Sequence, residues 1–442
     1  MSNDKEETTK HIIEIPEITR VEGHSAIHVE IKNGEVQNVM LDVFEGTRFF
    51  EKIVVGHKYD EIPHITSRVC AICSTGHVLA SSFAIEKIFD ITCDEITNTF
   101  RRLMHLGMFI ESHSTHIYAL ALPDFLKARD LLDFGSKFKT EFADWTLLRN
   151  LGTAIQSVIG GRPFHPVNLH VGGLSHIPAK DKLEELLAEL KAAKPVALKT
   201  CELLLKFNPP VERTTKPLFM ALIPEDGKYG FFGNKVRSSN GFESDIQNYN
   251  EYLAEQAVNY SHAKRSTGQG AALFVGAMAR LNLFGEGLEG DALSLYKSSP
   301  MAQGDNNSIW NNLAQSIEVV HAIDESIVLI EKILARYLDA KSLDASQVRV
   351  QAGIATGAVE CPRGTLYHHY ELDTAGTILV ADMVTPSAQN SWRIEMDIKE
   401  AVMQSCDIHS EQLQNNLETL VRAYDPCNTC ATHMVSISYL EV

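Results

Sequence analysis

Cys70-Ala-Ile-Cys73 and Cys427-Asn-Thr-Cys430 are two Cys-x-x-Cys pairs near opposite ends of a 442-residue chain. Two intervening residues let both thiolates of a pair point into one site, where a metal ion can bind them. Zinc fingers and ribbons close over roughly 12 to 20 residues, whereas these pairs lie more than three quarters of the chain apart. One shared site would therefore need the whole fold to assemble it. Two separate redox dithiols, or cysteines packed as small apolar residues, are the alternatives.

The composition indicates a folded protein that does not bind nucleic acid. Hydrophobic residues make up 44% and charged residues 22%, which is typical of a globular chain. The net charge of −17 repels phosphate backbones. No stretch reaches the roughly 20 apolar residues of a membrane span, and the polar N-terminus has no signal-peptide core. We therefore expect a cytoplasmic protein, in which eight cysteines favour metal or redox chemistry over a disulfide scaffold.

The hydrophobic patterns predict a mainly α protein with β excursions, of the α+β class. Residues 11–45 alternate around Lys32-Asn33-Gly34, which predicts a β-hairpin. Apolar spacings of three and four predict long helices that pack as a bundle. These helices are expected at 96–122 with an end or bend at Pro123, at 179–207 with a break at Pro195, at 309–343 and at 408–424. Smaller rim strands are expected at 216–241 and 366–387, in one domain over residues 1–442 whose termini meet at the metal site.

The residues around the cysteines resemble the two signatures of the nickel–iron hydrogenase large subunit. These are Arg68-x-Cys70-x-x-Cys73-x-x-x-His77 and Asp425-Pro-Cys427-x-x-Cys430-x-x-His433. Other segments resemble further motifs of that family: Ile18-Thr-Arg-Val-Glu22-Gly-His24, Gly160-Gly-Arg-Pro-Phe-His165-Pro166 with Gly172-Gly173, Gly276-Ala-Met-Ala-Arg280-Leu-Asn282, and Cys361-Pro-Arg363-Gly364. The matches extend over nearly the whole chain. The resemblance implies a hydrogenase that interconverts H2 with two protons and two electrons.

The resemblance also implies a role for each cysteine of the two pairs. Cys70 and Cys427 would be terminal nickel ligands, and Cys73 and Cys430 would bridge nickel and iron. Soft thiolates suit this pair of redox metals, and the family's iron carries carbonyl and cyanide ligands. A terminal thiolate would take the first proton, and Glu22 would relay it away. Cys93, Cys201, Cys361 and Cys406 have no paired spacing and are predicted to be structural thiols.

Other positions match residues that surround the family's metal pair. Arg363 would hold a guanidinium over the metals and pair with Asp124. Ser387 would donate a hydrogen bond to an iron-bound cyanide, and His77 would donate one to a bridging sulfur. Arg68 would neutralise thiolate charge beside Cys70.

A magnesium site is also implied by the resemblance. Glu51 lies nineteen positions before Cys70, the family's offset for a magnesium-binding glutamate. His433 would be the second side-chain ligand and the carbonyl of Met383 a third. Magnesium prefers octahedral, oxygen-rich coordination, so this assignment depends on the resemblance.

Two further features of the signature regions concern the backbone conformation and the maturation of the chain. Ala71 stands where the family usually has glycine. Residues 434–442 follow His433 as a tail that a maturation protease would remove after insertion factors deliver nickel.

Both cysteine pairs are assigned to the metal site, so no paired cysteines remain to bind an iron–sulfur cluster. We therefore expect an iron–sulfur small subunit to carry electrons away. Diaphorase or flavin modules serving NAD(P), or ferredoxin-linked subunits, would follow it. The rival hypotheses are a metal-free relative of quinone reductases, which should lack the four cysteines, and a zinc tetrathiolate scaffold.

Overall fold

Long helices form the centre of this computed structural model, which describes residues 10–343 and 348–432. Helix α4 packs against α7 and α12, and α8 packs against the same two helices. The α-helices are α1 Phe50–Ile53, α2 Ile62–Thr66, α3 Ser74–Phe89, α4 Glu95–Thr115, α5 Leu122–Leu126, α6 Leu131–Lys137, α7 Lys139–Gly160, α8 Lys180–Leu204, α9 Tyr249–Tyr252, α10 Ala277–Phe284, α11 Gly290–Ser298, α12 Asn311–Ala335, α13 Pro386–Gln404, α14 Glu411–Ala423 and α15 Asn428–Ala431.

The described residues also form five small sheets, which confirms the α+β class. The predicted N-terminal hairpin is formed by β2 and β3, which pair antiparallel. A further strand, β1, pairs antiparallel with the other edge of β2. The strands are β1 Lys10–Ile15, β2 Ser25–Lys32, β3 Glu35–Val43, β4 Leu169–His170, β5 Gly173–Leu174, β6 Leu218–Leu222, β7 Lys235–Ser238, β8 Glu243–Asp245, β9 Leu253–Ala257, β10 Lys264–Gly268, β11 Leu273–Phe274, β12 Gly353–Cys361, β13 Gly364–Leu372 and β14 Ile378–Val384. The predicted strands in 216–241 and 366–387 are present as β6–β7 and β13–β14.

The predictions were an end or bend of a helix at Pro123 and a break at Pro195, and neither proline ends its helix. The helix that begins at α4 passes through a π-helical turn over His116–Ala121 and runs on as α5 beyond Pro123. Pro123 lies in the first turn of α5, where a missing N–H costs little. Pro195 lies inside α8, which is unbroken. The buried Leu190 and Ala197 on either side pack this helix onto the core, and such packing can offset a local cost of about 3 kcal/mol.

No α-helix in the described part of the chain has the length and apolar character needed to cross a bilayer.

A buried ionic network ties α10, α12 and β12 together. Arg280 donates from Nε and Nη2 to the two carboxylate oxygens of Glu318, at 2.6 and 2.8 Å, and from Nη1 to Glu360 at 2.7 Å. His113 Nε2 lies 2.7 Å from Glu318. All four side chains are fully buried. Removing one partner would leave the others in a medium that disfavours charge.

Glu318→Gln is expected to destabilise the protein by about 3 kcal/mol at pH 7. Burial alone would raise the pKa of Glu318, but Arg280 and His113 outweigh it and lower the pKa to about 2. The carboxylate therefore stabilises the fold above its unfolded pKa of about 4.5, and that contribution is lost as the pH falls toward 2. Urea unfolding at pH 7 and pH 3 measures the effect. An equal loss at both pH values would assign it to packing instead of charge.

Candidate metal centre

Each cysteine pair lies where a loop enters a helix, and Cys430 is within α15. Cys70 follows a 3-10 turn at Ser67–Val69, and Cys73 precedes the first residue of α3. Cys427 precedes α15, after a tight turn in which Asp425 has a φ of 52°. Backbone pairing between Glu22 and Cys427 brings the N-terminal segment beside the C-terminal pair. Three segments remote in sequence thus meet at one point.

The four sulfurs form one cluster. The Sγ atoms of Cys70, Cys73, Cys427 and Cys430 all lie within 4.8 Å of one another. Cys70 Sγ is 3.5 Å from Cys427 Sγ, and Cys427 Sγ is 2.6 Å from Cys430 Sγ. Each residue is at most 4% exposed. The alternative of two separate dithiols is therefore wrong, because the pairs share one buried site.

This donor set fits soft transition metals. Burial raises the pKa of the Cys427 thiol to about 11, so four neighbouring thiolates need bound cations to compensate their charge. Thiolates are the preferred ligands of soft and borderline metals and poor ligands for magnesium or calcium. A small cavity beside the sulfurs is lined by His77, Arg363 and Ser387. Metal ions held by the four sulfurs would therefore lie against these three side chains.

Arg363 holds a permanent positive charge at this cavity. Its Nη1 donates to Cys73 Sγ at 3.3 Å, and Nη2 donates to Asp425 Oδ1 at 2.8 Å. Burial opposes the charge, but Asp425 and the nearby sulfurs hold the pKa of Arg363 well above its usual value. The predicted partner was wrong. Asp124 instead pairs with Arg20 and Arg422, because the helix beyond Ala121 carries it away from Arg363.

Glu22 lies beside the C-terminal pair, with Thr429 between its carboxylate and a sulfur. Thr429 donates its hydroxyl to Glu22 Oε1 at 2.5 Å and its backbone N–H to Oε2 at 3.1 Å. The same hydroxyl is 3.8 Å from Cys427 Sγ. A continuous polar contact therefore links a cysteine sulfur to this carboxylate.

Two of the remaining predicted residues line the cavity and one does not. Ser387 accepts a hydrogen bond from the N–H of Cys427 at 2.9 Å. His77 Nδ1 lies 3.0 Å from His368 Nε2, so its ring joins a buried histidine pair. The side chain of Arg68 is exposed, and Arg363 is the cation that the structure places against a cysteine sulfur.

Glu51 is fully buried in a separate acidic cluster. Its Oε1 accepts from the backbone N–H of Met383 at 2.8 Å and from Lys264 Nζ at 3.0 Å. Carboxylate oxygens of Glu51, Glu255 and Asp382 lie within 4.8 Å of one another. Such oxygens fit a hard cation, and the Lys264 ammonium lies among them. His433 is outside the described residues, as is the tail 434–442.

Sequence reasoning missed several residues of the site. Asp425 was quoted only as part of a motif, and Thr429 is one of two unassigned residues between cysteines. Arg48 has no motif around it, yet it donates from Nη2 to the carbonyls of Val69 and Thr429, at 2.5 Å each, and so links the two cysteine loops. Cys361 lines the same cavity as the four cysteines. Its position two residues before Arg363 in the sequence was the available signal.

Comparisons with known proteins agree with this geometry. A profile of the family described as nickel-dependent hydrogenase matches residues 48–154 and 210–433. The chain is 33% identical to sulfhydrogenase 1 subunit alpha of Pyrococcus furiosus over 425 residues, which cover 96% of this chain and 98% of that one. It is also 33% identical to sulfhydrogenase 2 subunit alpha of the same organism over 435 residues, which cover 96% and 100%.

Solved structures share the fold. A chain of an NAD+-reducing nickel–iron hydrogenase in the H2-reduced state superposes with a TM-score of 0.85 at 24% identity, covering 96% of this chain and 100% of that one. A nickel–iron–selenium hydrogenase from Desulfovibrio vulgaris Hildenborough gives 0.75 at 22% identity, with the same coverage.

The chain belongs to the nickel-dependent hydrogenase family. Within that family it is a catalytic large subunit of the nickel–iron type, an oxidoreductase that acts on H2, as the sequence predicted. The metal-free quinone-reductase relative and the zinc scaffold are both excluded by this membership together with the four-cysteine site.

Proposed function

We propose that this subunit passes the electrons of H2 to an iron–sulfur small subunit and onward to NAD(P)/flavin or ferredoxin modules in a cytoplasmic complex. The relatives with 33% identity are named as alpha subunits, which supports an assembly of several chains. The likeness to an NAD+-reducing enzyme supports a nicotinamide acceptor. The sulfhydrogenase names make sulfur compounds a second candidate acceptor.

We assign the metal ligands by position in the two pairs. Cys70 and Cys427 would be terminal on nickel, and Cys73 and Cys430 would bridge nickel to an iron that carries carbonyl and cyanide. The metal pair, when bound, supplies heterolytic cleavage of H2 and takes up two electrons. Ser387 and Arg363 line the cavity from which the diatomic ligands would be contacted.

The protein's own residues handle the proton and the local charge. A proton on Cys427 Sγ can pass through the Thr429 hydroxyl to Glu22, since the three groups are in sequence at 3.8 and 2.5 Å. Arg363 does not titrate, so it keeps the cavity positive while Asp425 fixes its orientation. Charge that develops on the sulfurs is thus stabilised by a fixed donor.

Magnesium would be held by Glu51, the Met383 carbonyl and His433. The buried Glu51 carboxylate and its acidic neighbours support a cation in this region. Bound there, it would brace the C-terminal segment against β14. Maturation would involve insertion of nickel and removal of the tail after His433.

The acceptor is tested by purifying the complex through a tag on this chain and supplying H2 with NAD+, NADP+, ferredoxin or polysulfide. The expected result is co-purification of an iron–sulfur protein and reduction of a nicotinamide or ferredoxin. Reduction of polysulfide alone would favour the second candidate. A chain that oxidises H2 with dyes but purifies without an iron–sulfur partner would contradict the proposal.

A further inference from the structure

His116 is a buried histidine whose two ring nitrogens both face hydrogen-bond acceptors. The residue begins the π-helical turn that follows α4, and it is 1% exposed. Its Nδ1 lies 2.5 Å from Oε1 of Gln315, and its Nε2 lies 2.7 Å from the carbonyl oxygen of Arg422. A neutral imidazole has one N–H donor and one acceptor nitrogen. A neutral ring would set a lone pair against one of these oxygens, so only a doubly protonated ring satisfies both contacts.

The orientation of the Gln315 amide is fixed from its other side. Its Nε2 donates to Oδ2 of Asp425 at 3.1 Å, and Oδ1 of Asp425 accepts from Nη2 of Arg363 at 2.8 Å. An amide turned end for end would bring its carbonyl oxygen against this carboxylate, which leaves two acceptors with no proton between them. The amide oxygen of Gln315 therefore faces His116, and Nδ1 of His116 donates to it.

Two features of the surroundings stabilise a positive charge on the His116 ring. Arg422 is the second-last residue of α14, so its carbonyl belongs to the negative end of the helix dipole, where a protonated histidine is favoured. Hydrogen bonds in a chain also polarise one another, so the bond from the Gln315 amide to a carboxylate strengthens its carbonyl as an acceptor. His105 on α4 is the contrasting case, because burial lowers its pKa to about 3 and the ring is neutral.

Both contacts of His116 lead to the turn at Asp425. The carbonyl of Arg422 also accepts the backbone N–H of Asp425 at 2.8 Å, in a turn where Asp425 has a φ of 52°. The backbone carbonyl of Asp425 accepts from Nε of Arg363 at 2.6 Å. Arg363 in turn donates from Nη1 to Cys73 Sγ at 3.3 Å. An unbroken series of hydrogen bonds therefore connects the His116 ring to a sulfur of the metal centre.

We propose that His116 is a doubly protonated positioning residue of this hydrogenase, which fixes Asp425 and thereby the guanidinium of Arg363 beside the metal centre. It acts through Gln315 and through the carbonyl at the end of α14. With a neutral ring, Nδ1 would be an acceptor opposite the Gln315 oxygen, so the amide would rotate and release the Asp425 carboxylate. The effect on turnover rests on the role proposed above for Arg363, whereas the protonation of His116 does not.

Nitrogen NMR of the full-length chain, labelled only in histidine, tests the protonation state directly. His116 should give two protonated ring nitrogens at neutral pH, and their hydrogens should exchange slowly with D2O because the ring is buried. This pair of signals should be absent from His116→Gln and kept in His105→Gln, a matched control at a second fully buried histidine. A wild-type spectrum without a slowly exchanging pair overturns the proposal, and so does a pair that persists in His116→Gln.

Reduction of a dye under H2 measures the positioning effect, and its result does not depend on which acceptor the complex serves. Turnover should fall roughly 10- to 100-fold in His116→Gln, because displacing a group by about 1 Å can cost about 10²-fold. Nickel content should stay normal. Gln315→Met keeps the length of the side chain without its amide, so it should show a similar loss even if His116→Gln does not fold. His105→Gln should turn over like wild type.

Combining the two substitutions separates positioning from a general structural role. If His116 acts through Gln315, the double variant should lose little more turnover than the more impaired single variant. Losses that simply multiply would show two independent structural sites. Wild-type turnover in Gln315→Met would show that Asp425 needs no such link, and loss of nickel in His116→Gln would assign His116 to assembly of the cysteine site. Each of these three results overturns the proposal.

Discussion

Cys430→Ala is expected to leave the protein without nickel and without H2-dependent dye reduction. Cys430 Sγ is within 4.8 Å of the other three sulfurs and 2.6 Å from Cys427 Sγ, so no other cysteine of a pair can replace it. In the ligand assignment proposed above, Cys430 would bridge the two metals, so its loss would remove a ligand from each. Activity should fall by more than about 10³-fold, since the chemical step itself depends on the bound metals. Elemental analysis and reduction of a viologen dye under H2 measure the two effects.

Cys361→Ala is the matched control for that variant. Cys361 is equally buried and lines the same cavity, but its sulfur packs against Gly76, where an added Cβ would be only 2.3 Å away. Its loss should cost packing energy, on the order of 1 kcal/mol, while nickel and iron are retained. Nickel near wild-type level in Cys430→Ala would show that this sulfur does not ligate. Loss of nickel in both variants would show that cavity volume, not ligation, controls metal content.

Glu22→Gln is expected to lower H2 turnover by about 10²–10⁴-fold while metal content stays normal. Glutamine keeps the size of the side chain and can still contact the backbone of Thr429. It cannot accept the proton that the Thr429 hydroxyl would pass on. Turnover with a dye acceptor measures the loss, and isotope exchange should fall in parallel because proton exit is common to both reactions.

Variants at Thr429 test the middle group of the proposed proton path from Cys427 to Glu22. Thr429→Ser retains the hydroxyl that lies between Cys427 and Glu22, and its activity should be close to wild type. Thr429→Val keeps the shape without the hydroxyl, and its activity should resemble that of Glu22→Gln. Normal turnover in both Glu22→Gln and Thr429→Val would show that protons leave by another path.

Local sequence signals predicted most of the elements, and the errors have identifiable causes. Period-2 alternation with Asn33-Gly34 located the N-terminal strands, since both residues adopt the positive φ angles that the turn needs. An end or bend at Pro123 and a break at Pro195 were predicted because the sequence alone shows only the local cost of proline. The packing of α8 on α12, which offsets that cost, comes from residues more than a hundred positions away.

The residues of the candidate metal site that lie within recognisable motifs could be predicted from the sequence. Both cysteine pairs, Glu22 and Arg363 were found because each has characteristic neighbours. The partner of Arg363 was assigned to Asp124, although Asp425 lies two residues before Cys427 and provides the observed contact. Spacing shows which residues are close along the chain, but not how a π-helical turn redirects the residues that follow it. Arg48 could not be found for the same reason, since its partners Val69 and Thr429 are 21 and 381 residues away.

Because the four sulfurs come from both ends of the chain, bound metals would cross-link the two ends. Metal bound to both Cys70 and Cys427 would close a loop of 357 positions. If such a closure restricts the unfolded chain as a disulfide does, it favours the native state by about 6 kcal/mol. That is comparable with the entire net stability of a typical domain. The loaded enzyme would then owe much of its resistance to unfolding to its cofactor, and the empty chain would be the form exposed to proteolysis.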